Sequence, residues 1–394
     1  MNRKNSFFTA FVKLASYVLV AAVASGLTFL LCLGTGSKEN SKLEQLQKLI
    51  EECFVDIGEV DMSKVEDAAA AAMVEALGDR WSYYIPASEF QALMDQKANE
   101  YVGVGITITP REDNTGFDIL KVEPGGGAQE AGIMPGDILV AIEGQAVANM
   151  GTDGSRKLIQ GEEGTKVTVT VLRDGQSLDF TLTRKRIQVV VAEGKLLEGN
   201  VGYIAIKNFD ERCATETKAM IESLINQGAT SLVFDVRNNP GGYKHELVAL
   251  LDYLLPKGEV FRSMSYTGKS EVDYSDDNCL RMPMAVLVNS ESYSAAEFFA
   301  AALEEYDWAI VAGDPTCGKG HYQNTFQFTD GSGVGLSTGK YFTPKKGICL
   351  EDVGGLIPEV LVEIDLETAA KIYAGLIEPE EDPQVQAAIA ALKG

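Results

Sequence analysis

Three serines follow one apolar run. Ala285–Val288 reads as a buried strand, Ser290, Ser292 and Ser294 occupy the small-residue turn after it, and Glu297–Leu303 reads as a helix. A serine at the junction of a strand and a helix N-terminus is well placed as a nucleophile. Backbone N–H groups and the helix dipole favour negative charge there, so an oxyanion is stabilised. The hydroxyl needs a base, and the chain has only two histidines, His245 and His321. The other route is a lysine desolvated enough to be neutral near pH 7. Lys319 lies between Gly318 and Gly320, in a loop of small and apolar residues after a second apolar run, Trp308–Ala312. His321 is close by, so a Ser/His pair stays open on spacing alone, as does a solvated loop lysine.

The stretch Val288–Gln323 resembles the active-site region of the carboxyl-terminal processing peptidases, also called tail-specific proteases. Their pattern is S-A-S-A-S-E followed by G-x-P-T-x-G-K-G-x-x-Q. Here it reads Ser292-Tyr293-Ser294-Ala295-Ala296-Glu297, then Gly313-Asp314-Pro315-Thr316-Cys317-Gly318-Lys319-Gly320-His321-Tyr322-Gln323. The resemblance puts the nucleophile on Ser294, the base on Lys319 and the lysine-orienting glutamine on Gln323. Tyr293 and Ala296 replace small or hydroxyl residues and Cys317 replaces a usual aromatic. None of these departures removes a reacting group.

The residues that must position this pair alternate between strand and helix patterns. Val201–Ile206 reads as a strand and Thr215–Asn226 as an amphipathic helix stopped at Gly228. Ser231–Val236 reads as a buried strand, Glu246–Leu255 as a helix before Pro256, and Thr325–Phe328 and Val334–Tyr341 as strands about the Asp330-Gly331 turn. The order argues for an α/β core with part of its sheet parallel. Asp235–Gly242 resembles the family's D-[LV]-R-x-N-x-G-G motif. A glycine pair directly after a strand turns N–H groups inward, so Gly241 or Gly242, with the Ser294 amide, is the expected oxyanion hole. Asp235 and Arg237 are expected to hold the loop, and Glu297 to complement the helix dipole or orient its neighbours.

Residues 99–187 form a separate unit. Gly103 and Gly105 precede an alternating run through Ile108, and Ala128–Gly136 reads as a short helix ended by a turn. Asp137–Ile142 and Thr165–Leu172 read as strands, with Asp174-Gly175 as a hairpin turn. The unit resembles a PDZ domain. Such a domain adds a peptide strand to a sheet edge and captures its terminal carboxylate with loop N–H groups. The resemblance implies that Gly103, Val104, Gly105 and Ile106 take a substrate C-terminus, although a pair of glycines also serves a plain tight turn.

Ser41–Met94 reads as helical and includes Leu77–Pro86, which resembles the family's L-G-D-x-Y-S-x-Y segment and carries no evident chemistry. Leu14–Gly34 is uncharged and mostly apolar, about 20 residues and so of bilayer length. Arg3, Lys4 and Lys13 precede it, which predicts an uncleaved anchor with the N-terminus inside and the body outside the cell membrane. A formal net charge of −23 argues against nucleic acid and against docking on anionic lipid. Six scattered cysteines show no C-x-x-C, so neither zinc ligation nor a disulfide framework is expected.

The expected fold class is a mixed α/β (α+β) protease core with an inserted PDZ domain and an N-terminal transmembrane helix. The expected divisions are a cytoplasmic tail (1–13), anchor (14–34), helical region (35–98), PDZ domain (99–187), Ser/Lys core (188–375) and C-terminal helix (376–394). The expected function is a serine endopeptidase acting on proteins or peptides with exposed C-termini, without metal or cofactor, with homo-oligomerisation left open. The competing readings are a catalytically inert PDZ scaffold and, by fold resemblance, a retinoid-binding module. The intact Ser294, Lys319 and Gln323 set speaks against the first, and the PDZ unit and the lysine loop speak against the second.

Overall fold

The structure, a computed structural model, describes residues 41–148 and 150–393. Contacts divide the chain into two units, Met1–Ala69 and Ala70–Gly394. In the first, the helix Lys42–Cys53 opens with a capping box: Glu44 N–H donates to Ser41 Oγ, and Ser41 N–H donates to the Glu44 carboxylate. The helix Met62–Glu75 contains the boundary.

The second unit is built on a six-stranded sheet in the order Ala192–Leu197, Val201–Ile206, Ser231–Asp235, Met284–Val288, Ala309–Gly313, Val360–Leu361. The first strand is antiparallel to its neighbour and the rest are parallel. Met284–Val288 is buried along its whole length because both faces are covered. Met284, Val286 and Val288 meet the helices Cys213–Asn226, Lys244–Leu254 and Ala295–Glu305. Ala285 and Leu287 meet Val385, Ala388 and Ile389 of the helix Pro383–Ala391 on the opposite face. That helix starts at Pro383, with Asp382 accepting its first free N–H groups.

A second sheet joins Tyr83–Ile85, Gly333–Phe342, Gly258–Ser265 and Ser270–Ser275, with His321–Gln327 paired to Gly333–Phe342 as a hairpin. The strand Tyr83–Ile85 corrects the all-helical expectation for 41–94. Gly78, with φ +69°, ends the preceding helix, and Pro86 separates the strand from the helix Ala87–Lys97.

The PDZ unit is a sheet ordered Ile106–Pro110, Phe117–Val122, Ile138–Ile142, Lys166–Arg173, Gln176–Thr183, with its own core around Phe117, Leu139, Val169 and Leu182. Ile106–Pro110 is the edge strand. The short helix Gly127–Ala131 stops at Gly132, whose φ is +91°. Asp137 is buried against Arg173, whose guanidinium holds its carboxyl below the usual range. Glu100–Gly103 and Lys185–Gln188 pair where the unit leaves and rejoins the core.

The fold class is corrected in one component. No helix among the described residues is long and apolar enough to cross a membrane, and the expected span, 14–34, lies outside the described residues. The supported class is a mixed α/β protease fold carrying a PDZ domain.

Candidate active site

The parallel strands Ser231–Asp235 and Met284–Val288 end side by side, and the loops leaving them form one wall. Ser292 is fully buried there. Its hydroxyl donates to Val236 C=O (2.7 Å) and accepts from Asn289 N–H (3.0 Å). Asn238 N–H donates to the Asn289 side chain at 2.9 Å. Ser292 is therefore the serine that fixes the turn, while Ser290 is exposed. Ser294 is the N-cap of the helix Ala295–Glu305, with φ +58° and ψ −122°. A non-glycine residue held there stores strain of order 1–3 kcal/mol, a pattern that clusters where a side chain must be aimed.

Gly241 explains itself by proximity. A Cβ at this position would stand 2.8 Å from Ala295 N, Ser294 Cβ and Tyr293 O. At Gly242 it would meet Phe209 C at 2.2 Å. Gly241 N–H donates to Asn239 Oδ1 (2.9 Å), and Ser294 N–H to Glu297 Oε1 (3.1 Å), so two of the three expected oxyanion donors hold internal acceptors in this geometry. Ala295 N–H, beside Gly241, has no hydrogen-bond acceptor among the described residues.

Glu297 is the joint of the site. It is wholly buried, and besides Ser294 N–H it accepts from Thr316 Oγ1 (2.7 Å), Gly318 N–H (2.9 Å) and Lys319 N–H (2.5 Å). Burial pushes its carboxyl up while these donors pull it down, and the net direction is upward. The side chain ties the nucleophile turn to the lysine loop. Tyr341 closes the other side: its buried hydroxyl donates to Lys319 C=O.

Burial, reinforced by the charge of Lys97, pushes Lys319 down to about 8. Its ammonium has no hydrogen bond or ion pair among the described residues. It lies over the rings of Trp81, 4.6 Å from the centroid, and Tyr293, 5.7 Å. No hydrogen bond joins the Ser294 and Lys319 side chains among the described residues; the two segments are linked through Glu297. Gln323 is close in sequence but engaged elsewhere, donating to Ser337 Oγ (3.0 Å) and His321 C=O (3.2 Å). His321 Nδ1 pairs with Glu351. Burial pushes the Cys317 thiol up, away from ready thiolate chemistry.

Asp235 and Arg237 form a buried network with Asp382 and Gln384 behind the loop, as expected of positioning residues. In the PDZ unit, Val104 is buried with its C=O bound to Ala128 N–H (2.9 Å), and Gly105, at φ +80°, accepts from Glu123 N–H (2.9 Å). Gly103 ends its strand and Ile106 starts the edge strand. One metal-type cluster occurs among the described residues, Glu211, His245 and Glu246. Glu246 is already committed to the N–H groups of Arg212 (3.0 Å) and Ala214 (2.7 Å).

A serine thus sits at a strained helix cap, and a half-buried lysine of lowered basicity lies in the loop tied to that cap through Glu297. Peptidase family S41 matches residues 200–362, and PDZ domain matches residues 119–173. The chain is 32% identical over 357 residues to the carboxy-terminal processing protease CtpA of Bacillus subtilis (strain 168), covering 86% of this chain and 76% of that one. It is 30% identical over 342 residues to a CtpA-like serine protease of Staphylococcus aureus (strain COL), covering 85% of this chain and 66% of that one. A solved structure assigned to the S41 proteases, from Bacteroides fragilis, matches with a TM-score of 0.50 at 16% identity. It covers 85% of this chain and 98% of that one, a likeness of fold alone. The chain belongs to the carboxy-terminal processing proteases of peptidase family S41, and is a serine protease with a PDZ domain.

Proposed function

We propose that this protease cuts proteins near their C-termini with a Ser294–Lys319 dyad. The observation that carries the reading is the lysine. It is half-buried, lowered to about 8, and its loop is tied through Glu297 to the turn that aims Ser294. Neutral Lys319 Nζ takes the Ser294 proton as Oγ attacks the scissile carbonyl carbon. The lysine then gives that proton to the leaving amine, and water releases the acyl group by the same route. Gln323 is assigned to steady the lysine during the transfer, which requires it to exchange its Ser337 bond.

The oxyanion is assigned to Gly241 or Gly242 with the Ser294 amide. Ala295 N–H joins them as a donor already open. The PDZ unit is assigned the substrate's C-terminal carboxylate, at the N–H groups of Gly103–Ile106 beside the Ile106–Pro110 edge. Substrates are proteins or peptides with an exposed C-terminus.

The test is cleavage of an unstructured protein with an apolar C-terminus by wild type, Ser294→Ala, Lys319→Ala and Lys319→Arg. Loss in all three variants, with peptide binding at the PDZ unit retained, supports the dyad, because arginine cannot serve as a neutral base. Activity surviving both lysine changes sinks it and shifts attention to His321.

A further inference from the structure

The segment Leu77–Pro86 has no part in the dyad, yet it delivers an indole to the lysine. Lys319 Nζ lies 4.6 Å from the Trp81 ring centroid and 5.7 Å from that of Tyr293, the residue before the nucleophile. The two rings stack, with centroids 5.9 Å apart and planes 30° apart. The indole is itself held. Its Nε1–H donates to Glu351 Oε1 (3.3 Å), while Glu351 Oε2 accepts from Gly320 N–H (3.2 Å) and pairs with His321 Nδ1. One carboxylate therefore fixes both the aromatic wall and the loop that carries the lysine. The Arg80 guanidinium lies 4.1 Å from the indole centroid and reaches Cys317 C=O at 3.5 Å.

We propose that Trp81 is a positioning residue for Lys319: with Tyr293 it forms an aromatic clamp that excludes water from the ammonium and keeps it beside Ser294, and Glu351 locks the clamp. The inference rests on the reading of Lys319 as the base. A ring face attracts a cation but returns only part of its hydration, so a lysine moved from water to such a clamp loses basicity on balance. Burial is accordingly the first cause of the lowered Lys319 pKa. The other charges acting on this amine are Lys97, which lowers it, and Asp79, Cys317 and Glu297, which raise it. Arg80, His321 and Glu351 meet the clamp itself. Among the described residues the ammonium has no directional bond to break when it moves.

The experiment measures Lys319 directly. In the full chain carrying Ser294→Ala, acetylation of Lys319 by acetic anhydride is followed against pH by peptide mass spectrometry. The pH dependence of kcat/KM is recorded in parallel with Ser294 intact. With Trp81 present the midpoint is expected near 8; Trp81→Ala moves it toward the ordinary lysine value of 10.5, and Trp81→Phe, which restores a dry ring, returns it. The rising limb of kcat/KM follows the same shifts. An unmoved midpoint in Trp81→Ala overturns the clamp. Should that variant not fold, Trp81→Gln answers the same question, since it fills part of the space with a polar group that admits water, and an unmoved midpoint there overturns it equally. A midpoint that moves while the kcat/KM limb stays fixed supports the clamp and refutes Lys319 as the base, so the two failures are distinguishable.

Discussion

The turn carrying Ser294 and the loop carrying Lys319 lie side by side but are built differently. The turn is bonded to the neighbouring strand end through Ser292 to Val236 and through Asn289 to Asn238, and its last residue is strained. The lysine loop is instead gathered onto a single buried carboxylate, Glu297, and onto the Tyr341 hydroxyl. The lysine ammonium lies over two ring faces and has no hydrogen bond or ion pair among the described residues. A nucleophile must point in one direction, so directional bonds and strain suit it. A base must change charge and travel to its partner, so burial suits it better than fixed hydrogen bonds.

Removing the joint is the largest way to break this contrast. Glu297→Ala leaves four donors in a dry interior without an acceptor. Each costs about 1–3 kcal/mol, so a loss of more than about 3 kcal/mol is expected in urea unfolding, together with loss of cleavage. A loss under about 1 kcal/mol would show that the loop holds itself.

The lysine itself sharpens the comparison, because its burial opposes folding. Its folded pKa, about 8, lies below the ordinary 10.5, so the unfolded chain binds the extra proton. The penalty is full below pH 8, shrinks as pH rises through 8 to 10.5, and is absent above. Lys319→Met is therefore expected to stabilise the chain by about 2–3 kcal/mol at pH 7, with the gain fading toward pH 10.5. Thermal melts across that range check it, and a gain independent of pH would show that the lysine is not held dry. By the same titration, kcat/KM of the wild type rises with pH through about 8.

Tyr341→Phe removes the bond to the Lys319 carbonyl. About 1 kcal/mol of stability should go with it, and a lowered kcat at unchanged KM is the signature of misplacement rather than weakened binding. The smallest effect belongs to Cys317. Its thiol is not poised as a thiolate, so Cys317→Ala should shift stability by no more than about 0.5 kcal/mol and leave cleavage intact. A large loss of cleavage would give the thiol a role.

The sequence by itself determined what short-range pattern can encode. The strand, small-residue turn and helix around Ser294, the lysine loop, the alternation of the parallel core and the separate PDZ unit are all legible locally. Periodicity and turn residues act over a few positions. Where the local signal is weak, elements were missed. The helix Gly151–Ile159 contains Gly151 and Gly154, and is made by packing rather than by propensity. The hairpin Gly258–Ser265 with Ser270–Ser275 likewise carries no strong local pattern.

Only the tertiary structure decided how the site is held. Glu297 reaches a loop 22 residues away, and Trp81 meets Glu351 across 270. The lowered basicity of Lys319 comes from burial by Trp81, Tyr293 and their neighbours. No spacing along the chain encodes that, because desolvation belongs to a place in the fold and not to a residue type.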